Sequence, residues 1–479
     1  MKFSMKTMFK FAAGLALIAT LASCNNNKDE EVAPIGEQVI EGNITTNTEL
    51  DANVTYLLRG QVIVTNGATL KIPAGTLIKG ERRTKGTLII DKGAKIDAQG
   101  TAQNPIVMTS SLREGERDRG DWGGVVILGR ANTNQQRPTI EGIVPEINYG
   151  TFQSTEFDGE NSGIMRYVRI EYAGIELSPN NETNSLTMGG VGRGTTIEYV
   201  QVSFGGDDGF EWFGGTVDGK YLISHAMWDD DLDCDFGWTG RVQFVLVVRN
   251  PSFADQSGSN AFECDNDASG STNTPFTAPV FSNVTVYGPR EQRGRSISNN
   301  YQHAMHLRRR TATSIFNSVL VGFPTMFRLD GITTEEQYTS GAGAIENTVI
   351  VGIAASGSAA ATMYSAGSGN TAASVETYFT AAARNNQAIN IGTTGDASPD
   401  YNALGLRTDN FVRDRLIENY PKNPNFALTS ANATLASGGA FTNAKVNNSF
   451  FQNVSYRGAF GTTDWTDGWA DFRPGENQY

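Results

Sequence analysis

The sequence predicts an all-β fold, a parallel β-helix (solenoid) with a few helices in its C-terminal third, from three observations. Sub-sequences return at the spacing of one coil: "GATLKI" (67–72) as "GAKIDA" (93–98), "MRYVRIEYAG" (165–174) as "IEYVQVSFGG" (197–206), and "SIFNSVLVG" (314–322) as "AIENTVIVG" (344–352), at offsets of 26, 32 and 30. Between them lie short β-branched runs with alternate residues apolar, "GKYLIS" (219–224), "RVQFVLVV" (241–248) and "PVFSNVTVYG" (279–288), each bounded by turn formers. The 53 glycines exceed the usual share of roughly 7%, as many short strands joined by tight turns require. Stacked coils set strands about 4.8 Å apart, send alternate side chains into one continuous core and let corner loops vary in length, which accounts for the drifting offsets. A β-sandwich or jelly roll also has many short strands, but it does not predict the same sub-sequence once per coil.

Taken from the N-terminus, residues 1–23 read as an export signal: Lys2, Lys6 and Lys10 precede "FAAGLALIATLAS" (11–23), too short an apolar run to span a bilayer as a mature helix. The run ends in Leu21-Ala22-Ser23-Cys24, which resembles the lipobox of bacterial lipoproteins. That resemblance implies acylation (palmitate) of Cys24, attachment to outer-membrane lipid and a flexible tether over 24–36. "NNNKDEE" (25–31) is similar to the export signal that sends lipoproteins of one Gram-negative phylum to the cell surface, although a plain solvated linker has the same composition. Residues 37–360 are expected to form the β-helix, and 361–479 further coils with helical insertions and a cap. In that last part "SVETYFTAAARNN" (374–386) and "DNFVRDRLIENY" (409–420) carry helical spacing, and Trp465 and Trp469 are expected to seal the end. Lys and Arg number 38 against 51 Asp and Glu, a net charge of −13 that argues against nucleic acid as a partner.

The chemistry concentrates in "WDDDLDCD" (228–235). Aligning "GDDGFEWFGGT" (206–216) with "DDDLDCDFGWT" (229–239) at an offset of 23 sets Asp207 and Asp208 over Asp230 and Asp231, and Phe213 over Phe236. Aligning "LDCDFG" (232–237) with "FECDND" (262–267) at an offset of 30 sets Asp233 over Glu263, Cys234 over Cys264 and Asp235 over Asp265. Acid alternates with apolar residues, so the carboxylates form a ladder up one outer face. Carboxylates stacked so closely need compensation, and calcium, with six to eight oxygen ligands in irregular geometry, suits them. The expected ligands are Asp207, Asp208, Asp230, Asp231, Asp233, Asp235, Glu263 and Asp265. The spacing matches neither an EF-hand nor a nonapeptide calcium roll, and a solvated acidic face without an ion is the alternative.

Trp212, Trp228 and Trp238 lie among these acids, where they either stack on sugar rings or fill the coil interior. "QHAMHLRRR" (302–310) brings His306 as a further ligand-binding candidate and Arg308 as a base, with Lys220 as the other candidate base; the alternative is that the arginines neutralise neighbouring acids or lie on a corner loop. Asp207 with Asp230 or Asp231 is the corresponding pair for a glycosidase. Cys234 and Cys264 either form a disulfide or remain two buried thiols.

"GDWGGVVILGRA" (120–131), "IEYAG" (170–174), "LTMGGVGRGTTIEYVQVS" (186–203), "DDGFEWFGGTV" (207–217) and "AFGTTDWTDGW" (459–469) carry a resemblance to a family of right-handed parallel β-helix lipoproteins of Gram-negative bacteria. It implies that fold and an outer-membrane, surface-exposed location, with no reaction attached. The chain resembles pectin-active β-helix enzymes more distantly: "DDG" and "DDD" echo their paired aspartates, but their Asn-Thr-Asp, Gly-His-Gly and Arg-Ile-Lys motifs are missing. Two functions follow as expectations. One is a non-catalytic β-helix binding calcium and a glycan or protein, for adhesion or nutrient capture. The other is a calcium-dependent lyase or a glycoside hydrolase acting on an acidic polysaccharide.

Overall fold

The computed structural model describes residues 37–178, 181–358, 360–391 and 397–479. The signal, Cys24 and the tether lie outside them. The described chain is a parallel β-helix whose coils stack on three faces. The first face runs through Thr69–Ile72, Lys95–Gln99 and the leading halves of Gly163–Glu171, Thr196–Ser203, Asp218–His225, Arg241–Val248 and Val280–Tyr287. The second takes the trailing halves of those strands and continues through Val319–Val321, Val349–Ile353 and Gln387–Ile391. The third comprises Thr87–Ile90, Val125–Leu128, Leu186–Val191, Phe210–Gly215, Leu232–Asp235, Phe262–Cys264, His303–Arg308, Thr325–Asp330 and Thr362–Ala366.

Alternation of side chains turns this stacking into a core. On the third face Leu186, Phe210, Leu232, Phe262, Met305 and Phe327 fall in one inward column, and Met188, Trp212, Cys234, Cys264, Leu307 and Leu329 in the next. All twelve are buried. Each such side chain contributes about 1.5–3 kcal/mol by leaving water, so a coil is stable only between neighbours that cover it.

The long strands bend from the first face to the second at a single left-handed residue. Tyr167, Tyr199, Tyr221, Phe244 and Asn283 occupy this corner on successive coils with φ between 51° and 64°. The four aromatic rings stack up the corner, Tyr167 on Tyr199 and Tyr199 on Tyr221 each with centroids 4.4 Å apart and Tyr221 on Phe244 at 5.0 Å. Left-handed backbone is costly for a non-glycine residue, and this ring stack helps to offset it.

Beyond the last coils, α1 (Ile332–Thr339) and α2 (Ala372–Thr380) close the open end of the core, with Tyr338, Val375, Tyr378 and Phe379 buried on it. α2 occupies part of the expected 374–386 segment and ends in a 3-10 turn, Ala382–Arg384. α3 (Ser398–Leu404) had no counterpart in the sequence reading.

The expected helix over 409–420 is absent. Only 3-10 turns at Thr408–Asn410 and Ile417–Asn419 form there. Phe411, Val412 and Tyr420 bury separately against the second face while residues 413–416 are exposed, so their spacing reports contacts with a flat flank, not one helical stripe. The tryptophans also depart from expectation. Residues 397–479 form no strand and run back along the solenoid as a strap, from Tyr401 on Glu291 and Asn410 on Tyr287 to Asp471 on Gln201 and Tyr479 on Glu171. Trp469 meets Tyr167 and Tyr199 edge-on, on the flank of the middle coils. It seals a side of the molecule, not its end.

Candidate functional site

The outward positions of the third face carry Glu211, Asp233, Glu263, His306 and Arg328 in register on five successive coils. The corner that leads into the face adds Asp208 and Asp230, also stacked: Asp230 donates its backbone N–H to Asp208 Oδ1 at 2.8 Å, and Asn260 donates its own to Asp230. Acid therefore occupies one half of the face and base the other. Three sets of carboxylate oxygens lie within 4.8 Å of one another: Asp207, Asp208 and Asp229; Asp208, Glu211 and Asp233; and Asp230, Asp233 and Glu263. Asp208 and Asp233 each belong to two of them, and Asp233, on the strand itself, joins the two sets that include the outward ladder.

The nearby basic groups are engaged elsewhere. Arg249 pairs with Asp231, Arg308 with Glu263 and Asp265, and Arg309 with Asp265. No basic side chain forms an ion pair with Asp208, Glu211, Asp230 or Asp233 among the described residues. Burial pushes all four carboxyls well above the usual range, and the charges of their neighbours push further. Burial likewise lifts Asp235 well up and Asp229 to about 6. Glu263 differs: burial raises it, but its contacts with His306 and Arg308 outweigh that and hold it below the usual value. An all-oxygen donor set from adjacent coils, partly desolvated and short of positive charge, matches what a hard cation such as calcium accepts.

Several expected site residues are placed otherwise. Asp231 is not on the outer ladder: it is fully buried, 3.1 Å from the equally buried Arg249, and accepts the Ser224 hydroxyl at 2.6 Å. The cause is where the strand begins: it starts at Leu232, so the acid–apolar alternation that sends Asp233 and Asp235 outward does not extend back to Asp231 at the corner. Register conceals a second residue. On the third face the pairing is Glu211 with Asp233 and Phe213 with Asp235, an offset of 22, and the offset becomes 23 only on the first face, where Gly219 pairs with Val242. A slip of one residue exchanges the two sides of a strand. It hid Glu211, which the offset of 23 places over the inward Cys234. Reading "FEW" (210–212) against "LDC" (232–234), apolar–acid–apolar on both coils, recovers it. Asp265 stands on the face but is neutralised by Arg308 and Arg309.

Trp212 and Trp238 stack on each other inside the coil with centroids 4.3 Å apart, and both are buried, so neither ring is open to a sugar. Trp228 is half-buried at the corner entering the face and donates its indole N–H to Asp255 at 2.8 Å. His306 lies between two carboxylates, 3.3 Å from Glu263 and 3.2 Å from Asp330. Lys220 lies on the first face against Phe450, away from the ladder. Arg308 is on the ladder, but Glu263 and Asp265 hold its proton more firmly than an ordinary arginine, against the pull of burial. Cys234 and Cys264 are free, buried thiols on paired strands. Of the two alternatives the sequence left open, the structure has the buried thiols: in-register neighbours point side by side into the core.

A solenoid of three parallel faces, one of which gathers carboxylates from adjacent coils, defines a parallel β-helix protein. The chain belongs to the family of pectate-lyase like beta helix domains, whose model matches residues 42–401. The distant likeness to pectin-active β-helix enzymes read from the sequence therefore holds at the level of the family. No curated protein and no solved structure matches the chain.

Proposed function

We propose that the third face binds calcium through the carboxylates centred on Asp233 and presents it to a glycan or partner protein, in a surface-exposed lipoprotein held in the outer membrane by acylated Cys24. One observation carries the reading: Asp208, Glu211, Asp230, Asp233 and Glu263 converge from three coils, and among the described residues only the last has a basic partner. Family membership favours a polysaccharide as the ligand. Binding is preferred to lyase chemistry because Lys220 is remote and Arg308 is fixed in its protonated form, which leaves neither as a base. Isothermal titration of the chelator-treated protein with calcium, and with magnesium for comparison, tests the proposal. Saturable, calcium-selective heat that disappears in Asp233→Asn supports it; heat unchanged by that substitution sinks it.

A second reading, glycoside hydrolysis, is favoured by a single feature. Glu211 and Asp233 sit in register on adjacent coils with carboxyls raised as a general acid requires. Release of reducing ends from acidic polysaccharides, lost in both Glu211→Gln and Asp233→Asn, is its measurement, and no release from any of them removes it.

A further inference from the structure

The corner between the second and third faces holds a charged group that the carboxylate ladder does not use. The guanidinium carbon of Arg119 lies 4.3 Å from the ring centroid of Trp228 and 4.2 Å from that of Phe253. Stacking occupies the flat faces of a guanidinium and leaves its N–H donors in the plane between the rings. Among the described residues the Arg119 side chain donates no hydrogen bond, and its one ion pair is 3.9 Å long, to an Asp118 carboxylate that is 70% exposed. Burial works against its charge, and Asp118 compensates in part. A rigidly held, partly desolvated guanidinium with unspent donors is the arrangement that recognises oxyanions in two-pronged fashion.

Arg119 lines a cavity of about 530 Å³ together with Arg82, Lys85 and Glu176. Arg82 reaches Asp121 only at 3.5 Å, and Lys85 spends hydrogen bonds on the carbonyl oxygens of Glu176 and Leu177; the lining itself holds three cations and one acid, Glu176, while Asp118 and Asp121 lie outside it. Trp228 forms the wall shared with a second cavity, lined by Asp207, Asp229 and Asp255. The volume is that of a small-molecule site, large enough for a sugar ring behind the charged group.

We propose that this cavity is an oxyanion site in which Arg119 takes the carboxylate or sulfate group of an acidic saccharide along the edge of its guanidinium. The site shares no residue with the cluster on Asp233, so it stands or falls independently of calcium. The test is calorimetric titration of the whole protein, in chelator, with glucuronate, glucose and inorganic sulfate. Glucuronate is expected to bind saturably and glucose not at all. Arg119→Met, which keeps a long apolar stem between the rings, should weaken glucuronate at least about tenfold, Arg119→Lys should weaken it less, and Asp233→Asn should leave it unchanged. The lysine variant preserves the test if the methionine variant does not fold. Glucuronate binding that survives both substitutions, that vanishes in Asp233→Asn, or that is matched by glucose overturns the proposal, as does binding of sulfate without glucuronate.

Discussion

Asp231 and Asp233 are two residues apart, the first at the corner and the second within the strand Leu232–Asp235, and have opposite circumstances: Asp231 is 3.1 Å from Arg249 with both side chains fully buried, whereas Asp233 faces outward among carboxylates. Their substitutions should therefore differ in sign. Asp231→Ala leaves Arg249 buried and unpaired and is expected to cost about 3–5 kcal/mol. Asp233→Asn relieves repulsion and should raise the stability of the calcium-free protein. Urea unfolding in chelator measures both, and a destabilised Asp233→Asn would contradict this account of the cluster.

Protons and calcium compete for the same oxygens. Burial lifts Asp229 to about 6 and raises Asp208, Glu211, Asp230 and Asp233 well above their usual range. Because the folded-state values exceed the unfolded ones, these groups contribute metal-free stability that is full below the unfolded values and is lost as pH rises through the folded ones. Calcium should make good that loss. The rise in Tm on adding calcium is expected to be large at about pH 8 and small at about pH 5, where protons already occupy the cluster. Equal shifts at both pH values would count against the carboxylates as ligands.

His225 predicts a pH effect of the opposite kind. It is buried between the solenoid and the strap, against Phe204, Tyr420 and Phe472, and neither ring nitrogen has a hydrogen-bond partner among the described residues. Burial lowers its pKa from 6.5 to about 3. The neutral ring therefore contributes stability that is full above the unfolded value and shrinks as pH falls below it. His225→Phe should gain about 2 kcal/mol relative to the parent between neutral pH and pH 5. Parallel stability curves for the two proteins would refute this.

The strap depends on the aromatic corner. Trp469 is buried and packs edge-on against Tyr167 and Tyr199. Trp469→Ala should cost about 3–5 kcal/mol and open residues 397–479 to proteolysis before the coils unfold. Cleavage that begins within the coils would show that the strap is not a separate unit.

Cys234 and Cys264 should resist alkylation in the native protein and react only on unfolding, with no change in Tm when reductant is added. Both lie wholly within the core, and burial pushes the Cys234 thiol well up. Mass spectrometry of the alkylated peptides decides the matter; a Tm lowered by reductant would point to a bridge.

How much of this was legible follows from what a solenoid repeats. The offsets of 26, 32 and 30 are the observed pairings of Thr69 with Lys95, Met165 with Ile197 and Ile315 with Ile345, because the inward column must stay apolar on every coil. The acidic coils were harder to read, since one residue is added at a corner where only packing records it. That addition concealed Glu211, and the alternation read through Asp231 overran the start of the strand at Leu232, which hid the inward position of that aspartate. The fate of each tryptophan was also hidden, because an aromatic ring suits both a core and a sugar platform. Arg119 left no pattern at all: its partners Trp228 and Phe253 are brought to it by the stacking of coils more than a hundred residues downstream.

The central claim, that the carboxylates around Asp233 hold a cation, is tested most directly by a crystal structure of the protein grown with calcium. The account predicts an ion with oxygen ligands at about 2.3–2.6 Å that include Asp233 and at least two of Asp208, Glu211, Asp230 and Glu263. Calcium bound elsewhere, or none at this face while Asp233 hydrogen-bonds a protonated neighbour, would contradict it.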